Sequence, residues 1–556
     1  MAGFVQAIAV DLDGTITQDG VLDTSTIAAL DECRGAGAAT ILVTGRIETE
    51  LGADFPGLLT HFDAAVLENG ALLIVDGHRT VLASVDPLLA PRLRDRSVPI
   101  RDGVAILACR STDAPIVFDG IDSLGLDAQL VHNRNELMVL PSGVSKGTGL
   151  RAALSELAIS AHNTLAVGDA ENDLAMLSAA EIAVAASGAI ESVRRVADVV
   201  ISDGPDQLAT FLRGPVVSGA QPVRSRRRDL RIGRSDDGSE VTIPGAQAGI
   251  LVSGESGAGK SHLTGLLVER WIEAGYIVLV IDPEGDHSSL AELHQTVLVK
   301  ADGTQSVDDL VQMLCQRSLS VVLDLSSMNP SVTVPYLTTV ASGVEAARSQ
   351  YGVPHWIVID EAHGVLGEDG TLAHVFRPND GGYCYVTYRP ETLCAAAKTT
   401  IDVFLTALGQ RREGGDPAVS RALLRTPGMV DMEFVPDSRK TSHVRHRNKY
   451  RDVPLPNHLR FHFRDSSGQI VSTSATVGEL ISSIGAVADD SVLHHALRGD
   501  FSRWALGAVQ DRSLGSALAA AENDCSARVG SAVNALRRRA AAALEQRYGA
   551  NGPGRR

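Results

Sequence analysis

The stretch Phe4–Thr17, FVQAIAVDLDGTIT, is an apolar segment that stops on two aspartates one residue apart and turns at once through a glycine and a threonine. Residues i and i+2 of a strand share a face, so Asp11 and Asp13 start out pointing the same way while Leu12 points to the other side. Two carboxylates that close repel, and packing gains nothing from them. They make sense around a cation, or as a nucleophile beside an acid. A second stretch, Ile250–His262 (ILVSGESGAGKSH), has the same outline: an apolar strand breaking into a polar, glycine-rich turn. Both breaks suit a phosphate, by different designs.

At 556 residues the chain is too long for one core, and a prior of roughly 150 residues per domain suggests three or four. Its composition, 44% hydrophobic and 21% charged, is that of an ordinary globular protein. No apolar run reaches the roughly 18 residues of a membrane helix, and the N-terminus lacks the pattern of a secretory signal. The six cysteines form no CxxC pair, which argues against a zinc ribbon and for reduced thiols in the cytoplasm. The net charge of −17 excludes a molecule that is basic throughout. Basic residues do cluster, in Arg224–Arg234 (RSRRRDLRIGR) and Arg439–Arg451 (RKTSHVRHRNKYR). Each cluster reads as solvated linker or surface, or as a contact for phosphate backbone.

Strand and helix patterns alternate to about residue 213, a Gly/Pro/Ser/Arg segment over 214–235 reads as a basic linker, and a second alternating region covers 236–425. Residues 426–556 change character, with strand-like HLRFHF and IVSTSA before alanine-rich helices. Alternation implies parallel sheets, whose ligands lie beyond the carboxyl ends of the strands. Both opening motifs occupy such ends. So do Thr44, Gly45 and Arg46 in ATILVTGR and Asp169 and Asp173 in TLAVGDAENDLAML, while Lys146 in GVSKGTGL precedes a helix. A carboxylate about 4 Å from a phosphate dianion meets roughly 8 kcal/mol of repulsion at an effective dielectric of 20, close to a millionfold in rate. A bare aspartate would fail as a nucleophile; a divalent metal and the Lys146 ammonium offset the penalty.

Over residues 4–213 this set resembles the haloacid dehalogenase superfamily: DLDGT has its phosphatase form, and GDAEND with VLENGA points to the class capped between the second and third motifs. The chain is similar there to small-capped Cof-type and phosphoglycolate or sugar phosphatases. The resemblance implies a Rossmann-like core with a small α/β cap near 78–140. Asp11 would form an aspartyl-phosphate, and Asp13 would protonate the leaving oxygen and then activate water. It also implies Mg2+ on Asp11, the Asp13 carbonyl and Asp169, supported by Asp173 and Asn172, with Thr44 and Lys146 on the phosphoryl oxygens.

GESGAGKS, Gly254–Ser261, satisfies GxxxxGK[ST] between a strand and a helix. Gly254, Gly257 and Gly259 let backbone amides wrap the phosphates of ATP, Lys260 reaches the β- and γ-phosphates, and Ser261 takes Mg2+. HWIVIDEAH supplies Asp360 for the metal and Glu361 to align water. Asp282–Gly285 and Thr387–Pro390, at further strand ends, make this RecA-like region resemble the HerA/FtsK family over about 240–425, although Tyr388 stands where that family usually has glutamine. The resemblance implies a homo-oligomer, a hexameric ring with DNA in its pore and an arginine from the neighbouring subunit, for which Arg411 and Arg412 are the candidates. The C-terminal region is a helix-rich α+β module with no derivable chemistry; HVRH reads as surface, and Phe501 and Trp504 as helix packing.

The leading expectation is therefore a two-headed enzyme, an Mg2+-dependent phosphatase fused to an ATP-driven motor acting on DNA. Its alternative is a small-metabolite phosphatase whose ATPase region is a regulatory or scaffolding switch. A third has the phosphatase process nucleic-acid ends brought by the motor. No membrane partner is expected.

Overall fold

The computed structural model describes residues 4–133, 136–204, 206–255, 258–303, 305–367, 376, 381–411, 419–441, 455, 457–509, 512–526 and 532–548. The opening stretch forms the strand Ala7–Val10, flanked in parallel by Thr164–Gly168 and Ala39–Val43 in an eight-stranded sheet. It is buried on both faces: Ile8 and Val10 enter one core with Leu42 and Leu165, while Ala7 and Ala9 enter another with Ile41 and Leu150. A strand covered on both sides has no reason to alternate polar with apolar residues. Chain order reverses between Ala7–Val10 and Thr164–Gly168, and such a switch point opens a crevice at the carboxyl ends.

The sheet's far edge corrects one expectation. Strands Leu72–Val75 and His78–Val81 form an antiparallel hairpin on the core sheet, so the cap begins beyond Val81 rather than at 78. Asp76 and Gly77 both take positive φ, 49° and 76°, the geometry of a tight two-residue hairpin turn. The cap itself is an antiparallel sheet of Ala128–Asn133, Glu136–Pro141, Leu107–Arg110 and Arg101–Asp102. The helices Leu89–Asp95 and Ala114–Leu124 cover it.

The second sheet has 11 strands. Its parallel part runs Val403–Arg411, Gly249–Gly254, Tyr383–Thr387, Trp356–Ile359, Val278–Asp282, Ser320–Asp324, Thr296–Lys300. An antiparallel extension adds Leu230–Ser235, Glu240–Ile243, Val419–Arg425 and Met432–Pro436. The expected linker 214–235 and the boundary at 425 are thus both too generous to the connections. Ile232, fully buried among arginines, makes the end of the basic segment a strand. The arginines are engaged as well. Arg224 pairs with Asp402, Arg227 with Asp198, and Arg231 with Asp437, while Arg228 donates to the carbonyls of Ser178 and Ala180. Most of the 439–451 cluster, HVRH included, lies outside the described residues.

The two α/β units meet at the amino ends of their strands through buried polar groups. The His162 ring stacks on Tyr276 at 3.7 Å. Its Nε2 donates to the Ala274 carbonyl at 2.9 Å, and its Nδ1 faces Glu181 at 2.7 Å. Asn163 donates to the Gly352 carbonyl. A Cβ on Gly352 would lie 2.6 Å from the Asn163 amide, so glycine is required there. His355 accepts from the Ile277 N–H at Nδ1 and donates through Nε2 to Asn163. With the amino ends joined, the carboxyl ends face away from each other.

The third unit packs the hairpin Phe461–Arg464/Ile470–Ser474 against helices Val477–Ala486, Asp489–Leu497, Asp500–Gly507, Arg512–Ser526 and Ala532–Tyr548. Phe501 is fully buried and stacks on Phe461 at 5.0 Å, while Trp504 Nε1 donates to the Leu459 carbonyl. No helix among the described residues is long and apolar enough to cross a membrane. Cys33, Cys109, Cys315, Cys384 and Cys394 are free thiols.

Candidate active sites

Asp11 follows the first strand directly and is buried. Lys146, the first residue of helix Lys146–Glu156, is placed by the capping box of Ser145 and Thr148. Its ammonium reaches Asp11 Oδ1 at 2.5 Å and Asp173 Oδ1 at 2.6 Å. Asp173 is held in turn by the N–H groups of Asp169 and Ala170, at 2.9 and 3.0 Å. Carboxylate oxygens of Asp11, Asp169 and Asp173 all lie within 4.8 Å of one another. Burial, then the Asp173 charge, pushes the Asp11 carboxyl well above the usual range against the opposing pull of Lys146. Burial works against the Lys146 ammonium, but the two aspartates more than restore it and raise its pKa. Gly14 has φ 88°, and a Cβ there would sit 2.3 Å from Asp169 Oδ2, so the DGT glycine clears the space that Asp169 fills.

Thr44 is buried at the end of Ala39–Val43, and its hydroxyl accepts from the Arg46 N–H. Asn172 donates to Asn69 Oδ1. The Asp13 carboxylate stands apart from the other three. Arg46 holds both its oxygens, Nε on Oδ2 at 2.8 Å and Nη2 on Oδ1 at 2.7 Å, and also reaches Asp54 at 2.5 Å. Sequence reading delivered Arg46 to the site but gave it no task. It also gave no task to Glu68, within VLENGA, where Glu68 and Asn69 both adopt left-handed φ. The Glu68 carboxylate accepts from the N–H groups of Val104, Ala105 and Ile106 and so ties the cap to the core. A cavity of about 710 Å3 opens over the site, lined by the core residues and by Arg101, Glu136 and Met138 of the cap.

In the second unit, strand Gly249–Gly254 leads through the loop into helix Lys260–Glu273. Gly254 and Gly259 have φ of 143° and 109°; Gly257 lies outside the described residues. Lys260 Nζ donates to the carbonyls of Gly254 and Glu255 at 3.0 and 3.1 Å, with Tyr388 below it at 5.9 Å. Ser261 Oγ approaches Asp286 Oδ2 at 3.4 Å. Asp360 Oδ2 accepts from His287 Nε2 at 3.0 Å, and Glu361, at φ 46°, faces His363 at 3.3 Å. Burial pushes Asp282 up to about 6 and Asp286 up to about 7. Burial alone would lower His287, but the bond to Asp360 and the surrounding carboxylates carry it up to about 9. Asp286 and His287 were missed because they follow the strand-end motif by a few residues and match no short pattern. Arg412 is outside the described residues; Arg411 ends its strand.

Comparison with known proteins follows the same division. The family model of haloacid dehalogenase-like hydrolases matches residues 128–207, and the central domain of the helicase HerA matches 235–357. A phosphoglycolate phosphatase of Halorubrum lacusprofundi is 28% identical over 219 residues, 36% of this chain and 92% of that protein. One from Methanobrevibacter smithii is 29% identical over 216 residues, 35% of this chain and 92% of that protein. Among solved structures, a haloacid dehalogenase-like hydrolase from Bacteroides thetaiotaomicron aligns with 38% of this chain and 98% of its own, at 18% identity and a TM-score of 0.33. The chain thus joins a part similar to haloacid dehalogenase-like hydrolases to a part similar to the P-loop central domain of HerA. Its first part is similar to phosphoglycolate phosphatases.

Proposed function

We propose that the chain hydrolyses a phosphate monoester at its first site and ATP at its second, as two separate Mg2+-dependent reactions. The contact that carries the first half is Lys146 between Asp11 and Asp173, because it compensates buried negative charge where a phosphoryl group must approach. Asp11 attacks phosphorus through its carboxylate and becomes phosphorylated. Thr44 and Lys146 bind the phosphoryl oxygens. Asp13, oriented by Arg46, protonates the leaving oxygen and then takes a proton from water in the second half-reaction. Asp11, Asp169 and Asp173 form an all-oxygen donor set suited to a hard divalent cation. When bound, Mg2+ supplies charge neutralisation for the approaching phosphate.

At the second site the loop amides and Lys260 hold the nucleotide phosphates. Ser261 and Asp360 take the metal, and Glu361 aligns water. His287 keeps Asp360 in place. We assign the domains as 4–213, with a cap from 82 to 141, then 230–441, then 455–548. The HerA likeness supports a homo-oligomeric motor acting on DNA. The back-to-back arrangement favours the switch or scaffold alternative over direct delivery of nucleic-acid ends. Five residues of strand at about 3.3 Å each separate Asp11 from Gln6, and five more separate Gly249 from Gly254. The two sites of one chain thus stand roughly 30 Å apart along the strands alone.

Asp11→Asn should abolish phosphate release from p-nitrophenyl phosphate and leave ATP turnover intact, and Lys260→Ala should do the reverse. Loss of both activities from either change refutes separate sites. ATP turnover indifferent to added DNA across a salt series refutes the motor and leaves the switch.

A further inference from the structure

On the C-terminal hairpin strand Phe461–Arg464, Phe461 and Phe463 are buried in the helical core. Alternation sends Arg460, His462 and Arg464 to the other face. The helix Asp489–Leu497 packs on the phenylalanine side, its His495 ring 5.1 Å from that of Phe461, and brings His494, His495 and its C-cap Arg498 to the end of the strand. Together they line a cavity of about 420 Å3. One carboxylate, Asp500, also lines it, against three guanidinium groups. Asp500 is already engaged by His495 at 2.8 Å, by Arg503 at 2.5 Å and, more distantly, by Arg498 at 3.5 Å.

Among the described residues, the remaining contacts orient the cations without neutralising them. Arg460 Nε donates to the Leu455 carbonyl and Arg464 Nη1 to the Gly468 carbonyl. His495 accepts the Arg464 N–H at Nε2 and presents Nδ1–H to Asp500, so its ring is neutral and fixes the strand end. Burial lowers its pKa in the same sense. Among the described residues, three positive charges against one negative leave an excess of two in this cavity, in a chain whose net charge is −17. Guanidinium groups lining one cavity, two of them held by carbonyls, suit the recognition of a tetrahedral oxyanion.

We propose that this pocket binds a phosphate group, independently of both magnesium sites and of whether the chain moves DNA. The phosphate is either that of a free phosphorylated ligand or that of a nucleic-acid backbone. Equilibrium dialysis of the full chain separates the two sources with three probes: inorganic phosphate, uridine monophosphate, and a single-stranded oligonucleotide without terminal phosphates. The comparison is with Arg464→Gln/Arg498→Gln. Loss of a charge-assisted hydrogen bond weakens binding by roughly tenfold or more, so the variant should bind at least one probe no better than a fifth as tightly as the unaltered chain. Loss confined to phosphate and the mononucleotide identifies a free ligand; loss confined to the oligonucleotide identifies the backbone. Should all three bind within fivefold of the unaltered chain, the proposal is overturned. Phosphatase and ATPase rates should be unchanged. If the double variant fails to fold, Arg498→Gln alone, at an exposed side chain, is read by the same fivefold criterion.

Discussion

Replacing Lys146 by methionine removes one charge and little volume. The ammonium is 2% exposed and serves two carboxylates, at 2.5 and 2.6 Å. With all three carboxylates ionised, Asp11, Asp169, Asp173 and Lys146 carry a net charge of −2, which becomes −3 in the variant. Breaking a buried ion pair by deleting one partner costs about 3–5 kcal/mol, because the orphaned charge stays buried. For a unit of roughly 200 residues, each kcal/mol moves the midpoint by about 2–4 °C, so the N-terminal unit should melt about 6–20 °C lower in EDTA. Metal that binds only the folded form should recover about 2.7 kcal/mol at a hundredfold excess over its Kd. Acid should help too. The Asp11 carboxyl is raised in the fold, so the folded state holds its proton when the unfolded chain has released it. Stability therefore falls as pH climbs from the ordinary value of 3.8 through the raised one. Without Lys146 that loss should be steeper. Thermal melts of the full chain across pH 5–8, with and without Mg2+, measure all three effects, and ATP turnover serves as an internal check. A midpoint in EDTA within 2 °C of the unaltered chain would refute the view that Lys146 compensates the buried carboxylates.

Two further outcomes follow from single contacts. Arg46→Lys keeps a positive charge but loses the two-point grip on Asp13. It should lower kcat for p-nitrophenyl phosphate by roughly ten- to a hundredfold with little change in KM, and a kcat within twofold would remove Arg46 from the orientation of Asp13. His355 is held neutral between the units, burial being the main cause and the His162 and Arg348 charges adding to it, so its pKa lies well below 6.5. The unfolded imidazole takes up a proton that the folded one refuses. Stability from this group is present above pH 6.5 and lost as pH falls, by at most about 1.4 kcal/mol per pH unit. In urea melts His355→Gln should flatten that slope between pH 6.5 and 5, and an unaltered slope counts against the interface histidine.

Both phosphate motifs were legible in the sequence because each is local. DLDGT and GESGAGKS are strand-end turns whose donors lie within a few residues, so spacing alone declares them. The alternation of strands and helices declared parallel sheets for the same reason, and DG at 76–77 could have placed the cap's edge correctly. What only the tertiary structure decided are contacts between residues far apart in the chain. Lys146 meets Asp11 across 135 positions, Arg46 takes Asp13 away from the carboxylate cluster, and Glu68 ties down the cap through backbone amides. The strand hidden in the arginine-rich segment belongs here too, since its residues Gly233–Ser235 pair with Phe434–Pro436 some 200 residues away. So does the joining of the two units by their strand starts, which turns the sites apart. Charge and hydrogen-bond complementarity between distant segments leave no periodic trace in either one, and only their meeting in space gives these residues their work.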